Sequence, residues 1–173
     1  IGKKSLRFGL RAGNRKNLGW YLGTGGEWKF NSTLSSNTEI TAYSKRGIFV
    51  SPSIEWDSST TGSFYSGTIE SGWIYDQGKS RGNDMYGLPL GRDRSFLHAY
   101  SVNRVHDNWR IAGQIEWNKD SEVIRDFQRD QFYQNQWNDS FAELAYEGRI
   151  WRISTLSRWQ ANQYEAITAQ LPI

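Results

Sequence analysis

The stretch Trp109-Arg110-Ile111-Ala112-Gly113-Gln114-Ile115-Glu116-Trp117-Asn118 decides the fold. Its odd positions read Trp, Ile, Gly, Ile, Trp, and its even positions Arg, Ala, Gln, Glu, Asn. Successive side chains of an extended strand point to opposite faces, so this segment has one apolar and one polar face. The alternation recurs in Trp151, Ile153, Thr155, Ser157 and Trp159 against Arg152, Ser154, Leu156 and Arg158. It recurs in Trp20, Leu22, Trp28 and Phe30 against Tyr21, Glu27 and Lys29. Ile48, Val50, Pro52, Ile54 and Trp56 oppose Phe49, Ser51, Ser53 and Glu55, and Leu6, Phe8 and Leu10 oppose Ser5, Arg7 and Arg11.

Extended along the chain, the pattern predicts about ten strands. They fall near residues 4–13, 18–30, 37–44, 47–56, 63–75, 94–105, 108–118, 140–147, 149–159 and 163–172. Turn chemistry occupies residues 14–17, 31–36, 58–62 and 106–108, while 76–93 and 119–139 are much longer connections. No stretch has sustained helical periodicity. The expected fold is all-β, an antiparallel up-and-down meander. Connections after even-numbered strands are all short, and both long ones follow odd-numbered strands. An up-and-down membrane barrel sorts its connections this way, with short turns at one rim and longer loops at the other.

Composition narrows the classes. The chain has 173 residues, 9 Trp, 9 Tyr, 8 Phe and 17 Gly. That length suits one domain, and 15% aromatics argue against disorder. Mean hydropathy is −0.72, and no run approaches the roughly 18 apolar residues of a membrane helix. A helical membrane protein is thereby excluded, whereas a β-barrel conceals its apolar residues at every second position. The absence of cysteine removes disulfide scaffolds, thiolate metal sites and cysteine nucleophiles. The net charge of +3 is mild and its basic residues are spread along the chain, which disfavours nucleic acid as a partner. The start at Ile1, with neither an initiator Met nor a signal peptide, is that expected of a mature product or an excised piece.

Aromatic placement points further toward a membrane. Trp109 and Trp117 share the apolar face eight residues apart, as do Trp151 and Trp159, Trp20 and Trp28, and Tyr65 and Trp73. Eight steps of ~3.3 Å tilted by ~40° span roughly 20 Å along a barrel axis, close to the ~25 Å apolar band between the aromatic girdles of outer-membrane barrels. The girdle residues would be Trp20, Trp28, Trp73, Trp109, Trp117, Trp151 and Trp159. An indole suits that boundary because one end is apolar and the other hydrogen-bonds. A soluble sandwich that binds carbohydrate through exposed tryptophans is the alternative from another class, and a small porin-like barrel the alternative within membranes.

Residues 38–127 carry pieces of a known family in order. They are Tyr43-Ser44-Lys45-Arg46-Gly47, Arg81-Gly82, the turn Asp107-Asn108-Trp109-Arg110, and Asp120-Ser121-Glu122-Val123-Ile124-Arg125-Asp126-Phe127. In these the chain resembles the barrel region of LptD, the lipopolysaccharide-assembly (organic solvent tolerance) family of the bacterial outer membrane. Ile1-Gly2-Lys3-Lys4-Ser5 is similar to the family's entry into its first strand, and Leu171-Pro172 to a Leu-Pro pair beyond a middle strand. The resemblance implies transport of lipopolysaccharide to the outer leaflet through a barrel of about 26 strands, a size within the bacterial range. Ten strands would form only its first portion, an incomplete barrel over residues 1–173. Outer-membrane lipids, an LptE-like lipoprotein plug and the periplasmic Lpt bridge are the implied partners. Two departures stand out: residues 1–30 contain no proline, and no cysteine is available to tie a barrel to a periplasmic domain. A gate built on weakened pairing is therefore not carried over.

Under the barrel reading the polar face lines the lumen. It includes Arg7, Arg11, Glu27, Lys29, Glu55, Arg110, Gln114, Glu116, Arg152 and Arg158, as any lumen must be polar and hydrated. The cations Arg7, Arg11, Lys29, Arg110, Arg152 and Arg158 are the candidate substrate path, since basic groups guide phosphates. The loop charges Asp120, Glu122, Arg125, Asp126, Arg129 and Asp130 alternate in sign, which opposes a divalent cation site and predicts salt-bridged packing. Catalytic chemistry finds little footing. His98 and His106 are the only histidines, no Gly-x-Ser-x-Gly occurs, and Gly23-Thr24-Gly25-Gly26 opens no helix. No enzyme activity, cofactor or metal is expected.

Overall fold

The computed structural model describes residues 5–105, 108–130 and 139–162. Nine strands form one antiparallel sheet in chain order, each bonded to the next: β1 (Ser5–Arg15), β2 (Gly19–Lys29), β3 (Leu34–Tyr43), β4 (Gly47–Thr60), β5 (Ser63–Tyr75), β6 (Asp93–Val105), β7 (Trp109–Asn118), β8 (Ser140–Glu147) and β9 (Arg152–Trp159). The all-β antiparallel meander expected from the alternation is the observed architecture. Among the described residues the sheet is open, with β1 and β9 at its two edges. A tenth strand at 163–172 and the turn residues His106 and Asp107 lie outside the described residues.

Local chemistry sets several boundaries differently from the sequence pattern. β3 begins at Leu34 because Asn31 Oδ1 accepts hydrogen bonds from the backbone N–H of Thr33 (2.8 Å) and Leu34 (2.7 Å), closing a tight Asx turn. β4 runs on to Thr60, where Gly62, with φ of +75°, closes a two-residue connection that a larger side chain would strain. β9 starts at Arg152, not 149, since Gly148 N–H bonds the carbonyl of Trp151 (2.8 Å) and holds residues 148–151 as a turn. Trp151 therefore sits in that turn rather than in a strand.

Residues paired across a ladder share a face, so the register carries one face through all nine strands. Leu6, Trp28, Ile54, Ile69 and Ile115 belong to the first face, as do Leu10, Ile40, Trp73, Leu97, Ile111, Leu144 and Ile153. These side chains are exposed, Leu10 by 81%, and nothing among the described residues covers them. We call this the bare face.

The opposite face is covered near one end. Connections after β1, β3, β5 and β7 emerge there, and two of them are long: 76–92 and 119–139. The second carries the five-residue helix α1 (Val123–Phe127). Val123, Ile124 and Phe127 pack on Leu18, Tyr43, Phe49, Ile74 and Phe96 as one buried cluster. Phe127 stacks on Phe49 with centroids 5.3 Å apart, and Phe49 lies 6.4 Å from Phe96. Gly72 makes room for these rings, since a Cβ there would stand 2.8 Å from Phe49 Cζ. The covered face is thus apolar where α1 is seated and polar elsewhere. Phe49, Ile74 and Phe96 occur at polar-face parity because the folded-back loop supplies an apolar partner.

Where α1 departs from the sheet, β7 and β8 separate beyond Gln114. Side chains replace the missing ladder there. Ser140 Oγ accepts the Glu116 N–H (3.1 Å), and Asn162 bonds both the Asn118 N–H (2.6 Å) and the Glu116 carbonyl (2.8 Å). Buried backbone groups are satisfied in this way without a neighbouring strand.

Candidate functional site

All six cations of the expected path project from the covered face, and each is paired with a carboxylate. Arg7 and Lys29 flank Glu27 at 3.8 and 3.3 Å. Arg11 pairs with Glu39 and donates to Thr41 Oγ1 at 3.1 Å. Arg110 and Arg152 share Glu143 at 3.2 and 3.5 Å, Arg152 also reaches Glu147 at 3.7 Å, and Arg158 lies 3.6 Å from Asp139. The structure gathers them into two groups, one on β1–β3 and one on β7–β9, with β4–β6 between. They do not form one continuous track.

The predicted girdle tryptophans separate by sheet end. Trp20, Trp73, Trp117 and Trp159 stand at strand ends beside the long connections. Trp28, Trp109 and Trp151 stand beside the short ones. Trp159 is half-buried; the other six are at least 39% exposed, which marks them as surface rather than core residues. At the short-turn end Tyr146 bridges Trp109 (4.8 Å) and Trp151 (5.0 Å), and Trp28 stacks on Phe30 (5.7 Å). At the other end Trp73 Nε1 donates to Asp93 Oδ1 at 2.8 Å, so the ring is apolar in body and bonded at its polar tip.

Beneath α1 lies an ionic knot that sequence reading missed. Arg94, on β6 and fully buried, donates from Nε and Nη2 to the two oxygens of Asp120 at 2.9 and 2.8 Å. Its Nη1 reaches Asp126 Oδ2 at 2.8 Å and Asp76 Oδ2 at 3.3 Å, and the guanidinium sits 5.1 Å from the Phe127 ring centroid. Arg46, from the β3–β4 turn, adds a 2.6 Å bond to Asp76 and another to the Asn17 carbonyl at 3.2 Å. The backbone N–H of Gly78 donates to the second oxygen of Asp76, and that of Glu122 adds a bond to Asp120 Oδ1. Such a network supports a buried charge because every guanidinium edge faces an acceptor.

The loop charges are therefore salt-bridged, as their alternation suggested, but their principal partner is different. Arg125 pairs with Glu122 inside the loop, whereas Asp120 and Asp126 are held by Arg94 from the sheet. Three carboxylates converge, and the guanidinium already occupies their centre; among the described residues no His, Cys, Asp and Glu group is arranged to hold a metal ion. His98 is bonded through Nε2 to Asn118 Oδ1 at 3.0 Å and packs 4.9 Å from Phe96, a structural setting. Arg94 gave no sequence signal, because one arginine at a strand start looks like any other until the loop returns over it.

No protein-family model matches the chain, and no curated protein is significantly similar to it.

Proposed function

We propose that this chain is a wall segment of a large outer-membrane β-barrel that delivers lipopolysaccharide to the outer leaflet, in the manner of LptD, without covalent chemistry. The observation that carries the membrane part is the bare face. Nine strands ~4.8 Å apart, with an apolar band roughly 20 Å tall, leave on the order of 800 Å² of contiguous apolar surface. The largest such patch on a soluble monomer is typically about 300–600 Å². Lipid tails would cover this band, and the tryptophan rows would meet the headgroup layers on either side. The open edges of β1 and β9 would pair with further strands, because an unpaired edge is costly in a bilayer.

The covered face suits a polar headgroup. Half-exposed ion pairs such as Arg7–Glu27 and Arg152–Glu143 contribute only about 0–1 kcal/mol each, so a passing phosphate can displace the carboxylate at little cost. Guanidinium forks accept phosphate in the geometry they use for carboxylate. Weak, exchangeable contacts favour passage over retention. The lipopolysaccharide assignment itself rests on the resemblance of residues 38–127.

Two measurements test this reading. Ile111→Arg, on the bare face, is expected to lower folding stability in bilayers by roughly 2–4 kcal/mol near mid-membrane. An unchanged stability, or a chain that stays monomeric in plain buffer, would remove the membrane reading in favour of a solvated sheet. For the substrate, a photocrosslinking residue at Gln114 or Ser154, both on the covered face, should capture lipopolysaccharide in cells. Capture confined to phospholipid, or absent, would overturn the lipopolysaccharide assignment.

A further inference from the structure

At the long-connection end, the β1–β2 turn, the β3–β4 turn, the start of the β5–β6 loop and α1 enclose a cleft of about 690 Å³. Six cations line it, Lys16, Lys45, Arg46, Lys79, Arg81 and Arg125, with Asp126 as the only carboxylate among its lining residues. That imbalance is large for a chain whose net charge is only +3. The single carboxylate is already held by Arg94, at 2.8 Å. Arg46 is engaged by Asp76 at the floor and Arg125 by Glu122 at the side.

The other four have no carboxylate partner among the described residues. Lys45 Nζ donates to the Lys16 carbonyl at 3.1 Å, which ties the two turns together. Arg81 donates from Nε to the Leu90 carbonyl at 2.8 Å and from Nη1 to the Gly78 carbonyl at 2.8 Å, so its guanidinium is fixed in place without being neutralised. Lys16, Lys45 and Lys79 are exposed. The contrast with the covered face is informative: there every candidate cation has an acid within 4 Å, and here four neighbouring ones have none. Repulsion among these cations is not offset by a neighbouring carboxylate, and a multivalent anion placed between them is attracted to all four.

We propose that this cleft binds a multiply phosphorylated anion, with Lys16, Lys45, Lys79 and Arg81 as its ligands. Arg81 supplies a pre-oriented fork and the lysines supply mobile point charges, a combination that suits clustered phosphates better than a single carboxylate. The site does not depend on the transport reading, since it requires only that this rim be accessible. Two sources share the chemistry: a soluble polyphosphate and a lipid surface that presents several phosphate monoesters side by side.

The full chain, folded in detergent micelles, is titrated calorimetrically with inorganic tripolyphosphate and, separately, with micelles containing phosphatidic acid. At least one probe should bind, and the variant K16Q/K45Q/K79Q/R81Q should weaken that binding by roughly tenfold or more. R104Q, which removes an exposed cation at the far end of β6, should change it less than about twofold, and raising salt should weaken binding as expected for exposed charges. K16R/K45R/K79R keeps the charge and should bind within about threefold of the parent, which guards against a fold defect in the neutral variant. Tripolyphosphate alone as the ligand assigns a soluble source; phosphatidic acid, with phosphatidylglycerol micelles inert, assigns a lipid. Binding of neither probe, or equal losses in R104Q and the cleft variant, would overturn the site. If both probes bind while Ile111→Arg leaves bilayer stability unchanged, the cleft stands and the membrane reading fails.

Discussion

Arg94→Leu is expected to destabilise the folded chain by about 3–5 kcal/mol, the range seen when one partner of a buried ionic network is removed. The size follows from what remains. Asp76 is fully buried, Asp120 and Asp126 are partly buried, and without the guanidinium Asp120 and Asp126 lose the cation that bonds them from the sheet. Arg46 still holds one oxygen of Asp76, which limits the loss. Denaturant unfolding in detergent, followed by tryptophan fluorescence, measures the effect. The loop reports independently: with Asp120 and Asp126 released, trypsin should cut after Arg125 faster than in the parent chain. Arg110→Gln, which breaks a partly exposed pair, should cost less than about 1 kcal/mol. Equal effects from the two variants would show that the knot contributes no more than a surface pair.

Phe49→Ala is expected to cost a similar amount, about 3–5 kcal/mol, as is usual for deleting a buried aromatic ring. Phe49 is 0% exposed and stacks on Phe127 while approaching Phe96. Its removal opens a cavity where the helix meets the sheet, and the knot on the same loop limits collapse into it. Thermal or denaturant unfolding of the variant reads the loss directly. A change below about 1 kcal/mol would mean that α1 is not seated on the sheet as described.

These two residues mark where the sequence was legible and where it was not. At residues 109–118 the alternation is complete, and the ladder register reproduces it position by position. Phe49 has the parity of the polar face, and nothing within β4 says that an aromatic at that position meets another aromatic rather than water. Its partners Phe96 and Phe127 lie 47 and 78 residues further on. The charge alternation at 120–126 signalled ion pairing, yet the guanidinium that organises it comes from the start of β6. Trp151 fell on the right face but in the wrong kind of segment, because strand ends are set by turn hydrogen bonds that alternation does not encode.

By itself the sequence determined the all-β class, the parity of each face, the neighbour-to-neighbour order and the division of connections into short and long. These are largely local properties: side-chain alternation is built into strand geometry, and the six short connections leave the strands they join little choice but to pair. Only the tertiary structure decided that the β7–β8 loop folds back over the sheet, that Arg46, Asp76, Arg94, Asp120 and Asp126 meet beneath it, and that four cations with no carboxylate partner among the described residues share one cleft. Those arrangements join segments separated by tens of residues through loops that have no period. Which charges become neighbours there depends on register and packing, and is set only when the whole sheet has formed.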